Sequence, residues 1–427
     1  MLQIGREKKL SEKKTKISSY ARPICMKRVP LEQERVQWTK YLYPEHANKP
    51  HMFYSIVWRI HLGELRAGET DTWSTTTLLQ RRAYHHLCTK YAKAWDEVCR
   101  LGDHNDVHPL QDVGKTLWQK RTDMEDLRAL IDLDVQRLGV PLNEEDQQCL
   151  ARILRVWSFT HVNLGYFQGM HELGALLWRI RDSESASVPE NSVLRVLLSP
   201  SDVEPDTYFL FSALIQRLTP LYDRTQRAGS PTLIKAILHR VDPPLYGHLQ
   251  SLQLEWAPIL LRWHRLLYMQ EFSETAVLEL WDTLFAIDHT LQLVPYISAA
   301  ILLSQRDKII QSDYIDAMQF LMHLPDLKAP RQLVEHAMQL CQTPSASVGA
   351  FIARAYEQHP PPEPTESKME SAKNMLRDLA AGILTPEGHG QPVWSPRAED
   401  RLHSESSNYT EQHKRAMLSL DSAHEFY

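Results

Sequence analysis

The stretch Tyr166-Phe167-Gln168-Gly169-Met170 separates two apolar patterns that repeat with the period of an α-helix. The pattern before it consists of Leu150, Ile153, Leu154, Trp157, His161 and Leu164, and the pattern after it consists of Leu173, Leu176, Leu177 and Ile180. Apolar residues at intervals of three and four predict helices with one buried face. Because Gly165 interrupts the first pattern, we expect Gln168 to lie beside a boundary between two helices.

A second stretch, Ile131-Asp132-Leu133-Asp134-Val135-Gln136-Arg137, ends another pattern of helical period. The recurring positions in it are Leu127, Leu130, Ile131, Asp134 and Arg137. Gly139 and Pro141 follow directly and predict the end of this helix.

Helical patterns continue through most of the chain, near residues 53–63, 70–100, 208–218, 232–240, 256–267, 273–284, 293–303, 313–324 and 331–342. No segment shows sustained alternation of β-branched and polar residues, which a half-buried strand would require. The sequence therefore predicts an all-α fold with a dozen or more helices.

The two ends of the chain have a different composition. Residues 1–45 lack a sustained apolar pattern, and nine Lys and Arg against two Glu fall within the first 28 residues. We interpret them as a basic, mostly disordered arm, which is also a candidate for peripheral contact with an anionic membrane. Residues 359–427 are polar and interrupted by prolines, and we predict a flexible tail with one short amphipathic helix at about 366–384.

The composition, 43% hydrophobic and 24% charged, is that of a globular protein in solution. No window resembles a membrane-spanning helix, and the first residues lack the apolar run of a signal peptide. The five cysteines are widely spaced and never form a Cys-x-x-Cys pair, so neither a disulfide framework nor a zinc ribbon is indicated. These features predict a cytoplasmic protein with reduced thiols.

Three patterns resemble ligand sites without meeting their requirements. His104 and His108 stand four apart, but Gly102 and Pro109 bracket them and indicate a loop. His85, His86, Cys88 and Cys99 have no clustered ligand spacing, so we predict no metal site. Gly114-Lys115-Thr116 has the end of a phosphate-binding loop, but the glycine required five positions earlier is Pro109.

Together with the apolar motifs around them, the two stretches resemble the TBC domain (Tre-2/Bub2/Cdc16), the GTPase-activating module for Rab-family GTPases. The resemblance covers roughly residues 52–324, and we predict a helical extension at 325–358. The opening Val57-Trp58 with Leu62-Gly63 is similar to the family's first helix. The family often has an arginine where this chain has Tyr54.

The resemblance implies roles for individual residues. In the family, the Ile-x-x-Asp-x-x-Arg motif supplies an arginine finger and the Tyr-x-Gln-Gly-Met motif supplies a glutamine finger, which match Arg137 and Gln168. Ile131 is then expected to anchor its helix in the core, and Asp134 to hold the Arg137 guanidinium by a hydrogen bond. Within the second motif, we expect Tyr166 and Met170 to pack and Gly169 to permit a close backbone approach.

Several segments look most like the subgroup typified by TBC domain family member 5, among them Tyr166 to Leu173 with His171-Glu172 and Arg262-Trp263-His264-Arg265-Leu266-Leu267. The resemblance implies a Rab partner, with late-endosomal Rab proteins as candidates, and names retromer and autophagy adaptors as further candidate partners. It implies no nucleic-acid partner. It also implies a peripheral location on endosomal or other vesicle membranes. It also implies no cofactor of its own, since the partner GTPase carries GTP and magnesium. The alternatives are a non-catalytic adaptor that binds a Rab or retromer with the same fold, and a helical repeat scaffold, for which the sequence shows no period.

Overall fold

A computed structural model describes residues 53–67, 69–102, 112–140, 142–185, 194–222 and 231–357. These residues form sixteen α-helices and two short 3₁₀ helices, and they contain no β-strand, which confirms the predicted all-α fold. The basic arm at 1–45, the tail at 359–427 with its predicted helix, and the predicted loop at 103–109 lie outside the described residues.

The first half of the described chain contains seven α-helices. They are α1 (Tyr54–His61), α2 (Trp73–Gly102), α3 (Asp112–Gln136), α4 (Glu144–Thr160), α5 (Met170–Ser185), α6 (Leu194–Leu197) and α7 (Val203–Tyr222). The 3₁₀ helices are Thr70–Thr72 and Pro200–Asp202.

The second half contains nine more. They are α8 (Pro231–Val241), α9 (Pro243–Ser251), α10 (Trp256–Arg265), α11 (Glu274–Ile287), α12 (Val294–Ser304), α13 (Arg306–Gln311), α14 (Tyr314–Met322), α15 (Pro330–Gln342) and α16 (Ala346–Glu357).

Helices α4, α5 and α7 pack against one another and form the centre of the domain. The positions that the sequence pattern marked as apolar are buried there: Leu150, Ile153, Leu154 and Trp157 of α4 and Leu173 and Leu177 of α5 are at most 1% exposed. The Trp157 ring meets Phe211 of α7 edge to face, with centroids 5.8 Å apart. Helix α3 packs on α2, α4 and α5, so its last turn lies beside the start of α5.

Helix α1 docks on α5, α7 and α11. Its Trp58 side chain is fully buried between the rings of Trp281 and Phe285, and its indole nitrogen donates to Asp282 Oδ1 at 3.2 Å. The helix ends at His61, and Gly63 two residues later has a φ of +77°, a conformation that glycine adopts without a steric penalty. The predicted end of this helix is therefore correct.

Two predicted boundaries were wrong. The helix that was expected to include Arg137 ends at Gln136, and the polar segment 182–191, whose composition predicts a loop, is helical as far as Ser185. Ser183 and Ser185 each bond a carbonyl group three residues earlier, so polar residues near this end support the last turn rather than break it.

The predicted helix at 331–342 is α15, and α16 was not predicted. Both pack on α12, and Leu333, Val334, Ala337 and Ile352 belong to the same buried core as the central helices. The part of the helical extension that the structure describes therefore packs into the same core as the rest of the domain.

Cys88, Cys99, Cys149 and Cys341 are free thiols of intermediate burial, and Cys25 lies outside the described residues. Within the described ranges, no helix combines the length and apolarity needed to cross a bilayer.

Candidate functional site

Arg137 occupies the first position after α3. Its backbone amide still bonds the carbonyl groups of Leu133 and Asp134, both at 3.2 Å, so the chain begins to leave the helix at this residue. The side chain is exposed. Ile131, two turns earlier, is 0% exposed and fixes the end of α3 in the core, which is the role expected of it.

Gln168 lies in the turn that precedes α5, and its side chain is also exposed. The two residues that follow it are buried, and Met170 is 0% exposed. Met170 also closes the turn, because its amide bonds the carbonyl group of Phe167 at 3.0 Å and its sulfur lies 3.4 Å from the Phe167 amide nitrogen. A buried anchor thus holds an exposed amide side chain at a helix start.

One hydrogen bond joins the two segments. The Tyr166 hydroxyl group donates to Asp134 Oδ2 at 2.8 Å and lies 2.8 Å from His171 Nδ1. Asp134 is 3% exposed and His171 is 7% exposed, so this junction is shielded from water. Arg137 follows Asp134 by three residues and Gln168 follows Tyr166 by two, so both exposed side chains are close in sequence to one buried contact.

The expected bond from Asp134 to the Arg137 guanidinium is absent among the described contacts. Asp134 points into the domain and accepts from Tyr166. Its Oδ2 atom also lies 3.6 Å from His171 Nδ1. The physical reason is the difference in burial: Asp134 lies on the inner side of α3 at 3% exposed, whereas the Arg137 side chain at the end of this helix is exposed. Asp134 supports the segment rather than the guanidinium directly.

Burial sets the protonation of the junction. It raises the pKa of Tyr166 above its usual range, and the hydrogen bond to the Asp134 carboxylate raises it further. Burial lowers the pKa of His171, although the charge of Asp134 partly opposes this shift. The phenol is therefore protonated and the imidazole neutral near pH 7.

Gly169 allows the Gln168 turn to approach α10. Its φ is +102°, a backbone angle that residues with a Cβ atom rarely adopt. A Cβ atom at this position would lie 3.0 Å from Leu266 Cδ2 and 3.4 Å from Arg265 Cδ. Both the backbone angle and the close packing fit the expected role of this glycine.

The last residue of α10 and the segment after this helix brace the same turn, which the sequence motifs did not indicate. Arg265 Nη1 donates to the Gln168 carbonyl oxygen at 3.3 Å, and Gln270 Nε2 donates to the Glu172 carboxylate at 2.8 Å. Between them, Leu267 and Tyr268 have positive φ values of 47° and 66°.

That left-handed backbone is held by the core. The Trp281 indole nitrogen donates to the Leu267 carbonyl group at 2.9 Å, and the Tyr268 hydroxyl group donates to the carbonyl group of Val294 at 2.8 Å. Strained backbone persists where such contacts fix it. In the sequence, this brace was indicated only by two polar residues, Arg265 and Gln270, among the apolar residues around them.

A cleft of about 760 Å³ opens between α2, α3 and α4. Arg128, Arg152 and Arg155 line it together with Tyr91 and Trp95. Their charges are largely engaged: Arg155 pairs with Asp132, Arg152 with Glu204, and the Arg128 guanidinium lies 4.2 Å above the Trp95 ring. In the part of the chain that the structure describes, no three His, Cys, Asp or Glu side chains are grouped so that they could hold a metal ion.

Comparison with known proteins gives consistent matches. The Rab-GTPase-TBC domain model matches residues 82–310, which is more than half of the chain. Human TBC1 domain family member 5 is 29% identical over 329 residues, which cover 67% of this chain and 41% of that protein. The GTPase-activating protein gyp1 of Schizosaccharomyces pombe is 27% identical over 282 residues, which cover 63% of this chain and 50% of that protein.

A solved structure shows the same fold. The crystal structure of the Ypt/Rab-GAP domain of Gyp1p aligns with a TM-score of 0.56 and 21% sequence identity, over 77% of this chain and 98% of that chain. This chain spans half or less of the length of the two relatives described above. The match to the family model, supported by these similarities, shows that the chain belongs to the Rab-GTPase-TBC domain family.

Proposed function

We propose that this chain accelerates GTP hydrolysis on a Rab-family small GTPase, with Arg137 as an arginine finger and Gln168 as a glutamine finger. The observation that carries the proposal is the partly buried hydrogen bond from Tyr166 to Asp134, which joins the segments of two exposed side chains that have the required chemistry. Membership of the family supports the choice of partner.

The chemistry of each side chain suits its proposed task. Phosphoryl transfer from GTP needs little covalent chemistry from the protein, and its rate depends on positioning water and on stabilising charge at the transferred group. Arg137 supplies a permanent positive charge with a planar fork that matches two phosphate oxygens. Gln168 supplies an amide that accepts from the attacking water and donates to phosphate.

The buried junction supplies the rigidity that such positioning requires. A donor stabilises a transition state best when it is already oriented before the reaction begins. Arg137 and Gln168 extend from anchored positions, since Ile131 and Met170 are fully buried. The partner GTPase supplies the nucleotide and its magnesium ion, and the chain supplies only its own side chains.

The cellular setting is part of the same proposal. The similarity to human TBC1 domain family member 5 favours a role in vesicle or endosomal trafficking, with a cytoplasmic protein that associates peripherally with endosomal membranes. Late-endosomal Rab proteins are the first partners to test, followed by retromer and autophagy adaptors. The basic segment of residues 1–28 is the candidate membrane contact.

The test is single-turnover GTP hydrolysis by a panel of purified Rab proteins loaded with GTP and magnesium, with the wild-type chain and Arg137→Ala compared directly. Acceleration of one or a few Rab proteins that disappears with Arg137→Ala supports the proposal. Binding to GTP-loaded Rab without acceleration of any member would instead identify a non-catalytic adaptor, the second function that this fold can serve.

A further inference from the structure

His171 belongs to neither of the two sequence motifs, yet it contacts residues of both. Its Nδ1 atom lies 2.8 Å from the Tyr166 hydroxyl oxygen and 3.6 Å from Asp134 Oδ2. The Gly169 amide N–H group donates to the same ring nitrogen at 3.4 Å. The ring is 7% exposed and stands in the first turn of α5, directly after the buried Met170.

One ring nitrogen contacts both motifs. The Gly169 N–H group donates to Nδ1, so that nitrogen is an acceptor, and burial, which lowers the pKa of His171, keeps the ring neutral. The Tyr166 hydroxyl group donates to Asp134 Oδ2 and lies 2.8 Å from the same Nδ1 atom, so His171 and Asp134 together confine the phenol.

The result is a small polar network in which His171 Nδ1 contacts the Gly169 amide and the Tyr166 hydroxyl group, and Tyr166 donates to Asp134. The members of such a network restrict one another's orientation. The network starts in the first turn of α5 and ends in the last turn of α3, three residues before Arg137. Without the His171 ring nitrogen, the Gly169 amide would lose its acceptor and the Tyr166 ring would be less restricted.

We propose that His171 is a positioning residue, which fixes the Gln168 turn and the end of α3 relative to each other through Tyr166 and Asp134. The proposal rests on the proposed function for its catalytic consequence, but the positioning itself is a property of this chain alone.

Two nearly isosteric substitutions separate the polar contacts from the shape of the side chain. Asn in His171→Asn places an amide atom close to the position of Nδ1, whereas Leu in His171→Leu has a similar shape and no polar atom. His336→Leu is the matched control, because His336 is also buried, at 3% exposed, but lies in α15. All variants are made in the full chain.

The first measurement is amide hydrogen exchange of the chain without any partner. We expect His171→Leu to speed exchange at least about threefold in residues 131–138 and 166–170, because local opening of the two segments becomes easier. His171→Asn is expected to restore slow exchange there, and His336→Leu to leave both segments unchanged. Slow exchange in His171→Leu, or equal behaviour of the Asn and Leu variants, would overturn the proposal.

The second measurement is hydrolysis by a responsive Rab protein, with kcat and KM determined separately. His171→Leu should lower kcat about tenfold or more with KM nearly unchanged, because small displacements of catalytic groups reduce rate more than binding. His171→Asn should recover most of kcat. If the wild-type chain activates no Rab protein, the proposed function fails while the exchange result still decides the role of His171.

If His171→Leu does not fold, as judged by circular dichroism, Tyr166→Phe tests the same network from its other side. That variant should speed exchange in both segments, and unchanged exchange in either one would refute the positioning role.

Discussion

Tyr166 and Asp134, 32 positions apart in the sequence, are joined by a 2.8 Å hydrogen bond between the phenol hydroxyl group and Oδ2 of the carboxylate. Asp134 is 3% exposed and Tyr166 is partly buried, so the bond lies largely out of reach of water. The contact fixes the distance between the end of α3 and the start of α5.

Tyr166→Phe should therefore reduce the free energy of unfolding by about 1–3 kcal/mol, since it leaves a buried carboxylate without its hydroxyl partner. Urea denaturation measures this change. Tyr314→Phe is a suitable control because Tyr314 is 44% exposed, and its effect should be close to zero. Equal stability of wild type and Tyr166→Phe would show that the bond contributes nothing.

Arg137→Ala should lower the catalysed rate of GTP hydrolysis by about 10³-fold, which corresponds to about 4 kcal/mol of transition-state stabilisation. Arg137→Lys should restore little of it, because an ammonium group lacks the planar fork. The exposed side chain predicts no change in thermal melting for either variant. A folded Arg137→Ala chain with the wild-type rate would exclude the proposed finger.

Gln168→Ala should reduce the rate by a similar factor, because no other exposed side chain of the motif offers both a donor and an acceptor. Gln168→Glu is the informative companion variant: it retains the shape and the acceptor but cannot donate, so it should also be slow. Single-turnover assays on the same Rab protein measure both. If a Gln168→Ala chain is as fast as wild type, the attacking water is oriented by another group.

Gly169→Ala should destabilise the fold by about 1–3 kcal/mol, because the left-handed backbone angle and the approach of Leu266 both oppose a methyl group. Gly247→Ala provides the control. Gly247 lies inside α9 with no atom within 4 Å of an added Cβ, so the same change should stabilise by about 0.5–1 kcal/mol. Thermal melting of the two variants should shift in opposite directions.

Glu184 predicts a pH dependence of stability. It lies under the first turn of α1, where its carboxylate accepts from the Ser55 amide at 3.0 Å, and burial raises its pKa from 4.5 to about 7. The folded state therefore binds this proton more tightly than the unfolded state. The resulting stabilisation is fully present below pH 4.5 and is lost as the pH rises through about 7.

Urea denaturation at pH 5 and pH 8 should reveal this loss, with an upper limit of about 3 kcal/mol. Glu184→Gln removes the titrating group, so the difference between variant and wild type should change with pH. The comparison is needed because His264 acts in the opposite sense: burial lowers its pKa to about 3, so its contribution increases with pH in the acid range. Parallel pH profiles of Glu184→Gln and wild type would contradict the assignment.

Periodicity predicted most of the helices because the core is built from stripes such as those of α4 and α5. It placed Ile131 and Met170 in the core correctly, since burial follows directly from an apolar position on a helix. It missed α16, where Gly349 packs so closely on the backbone of Val241 that a Cβ would lie 2.3 Å from the carbonyl oxygen. A helix that packs through a glycine carries a weak apolar signal.

The support of the candidate site was less predictable for a different reason. Local spacing suggested that Asp134 contacts Arg137, but the helix ends between them and Asp134 bonds Tyr166 instead. Arg265 and Gln270 contact the site from positions that are distant in the sequence. His171 is close in sequence, but its contact depends on the direction of its side chain. A short motif indicates neither kind of contact. The motifs identified the exposed groups, and only the fold identified the groups that hold them.

The Tyr166 to Asp134 junction holds its two segments without using the side chain of Arg137 or Gln168. A chain in which one of these two side chains is substituted would therefore keep its fold and the rest of its surface. For the proposed activity, such a chain would occupy a GTP-bound partner and shield it from other regulators. One surface substitution would thus convert an inactivating protein into a protector of the active GTPase, with the opposite effect on any cell that carries both forms.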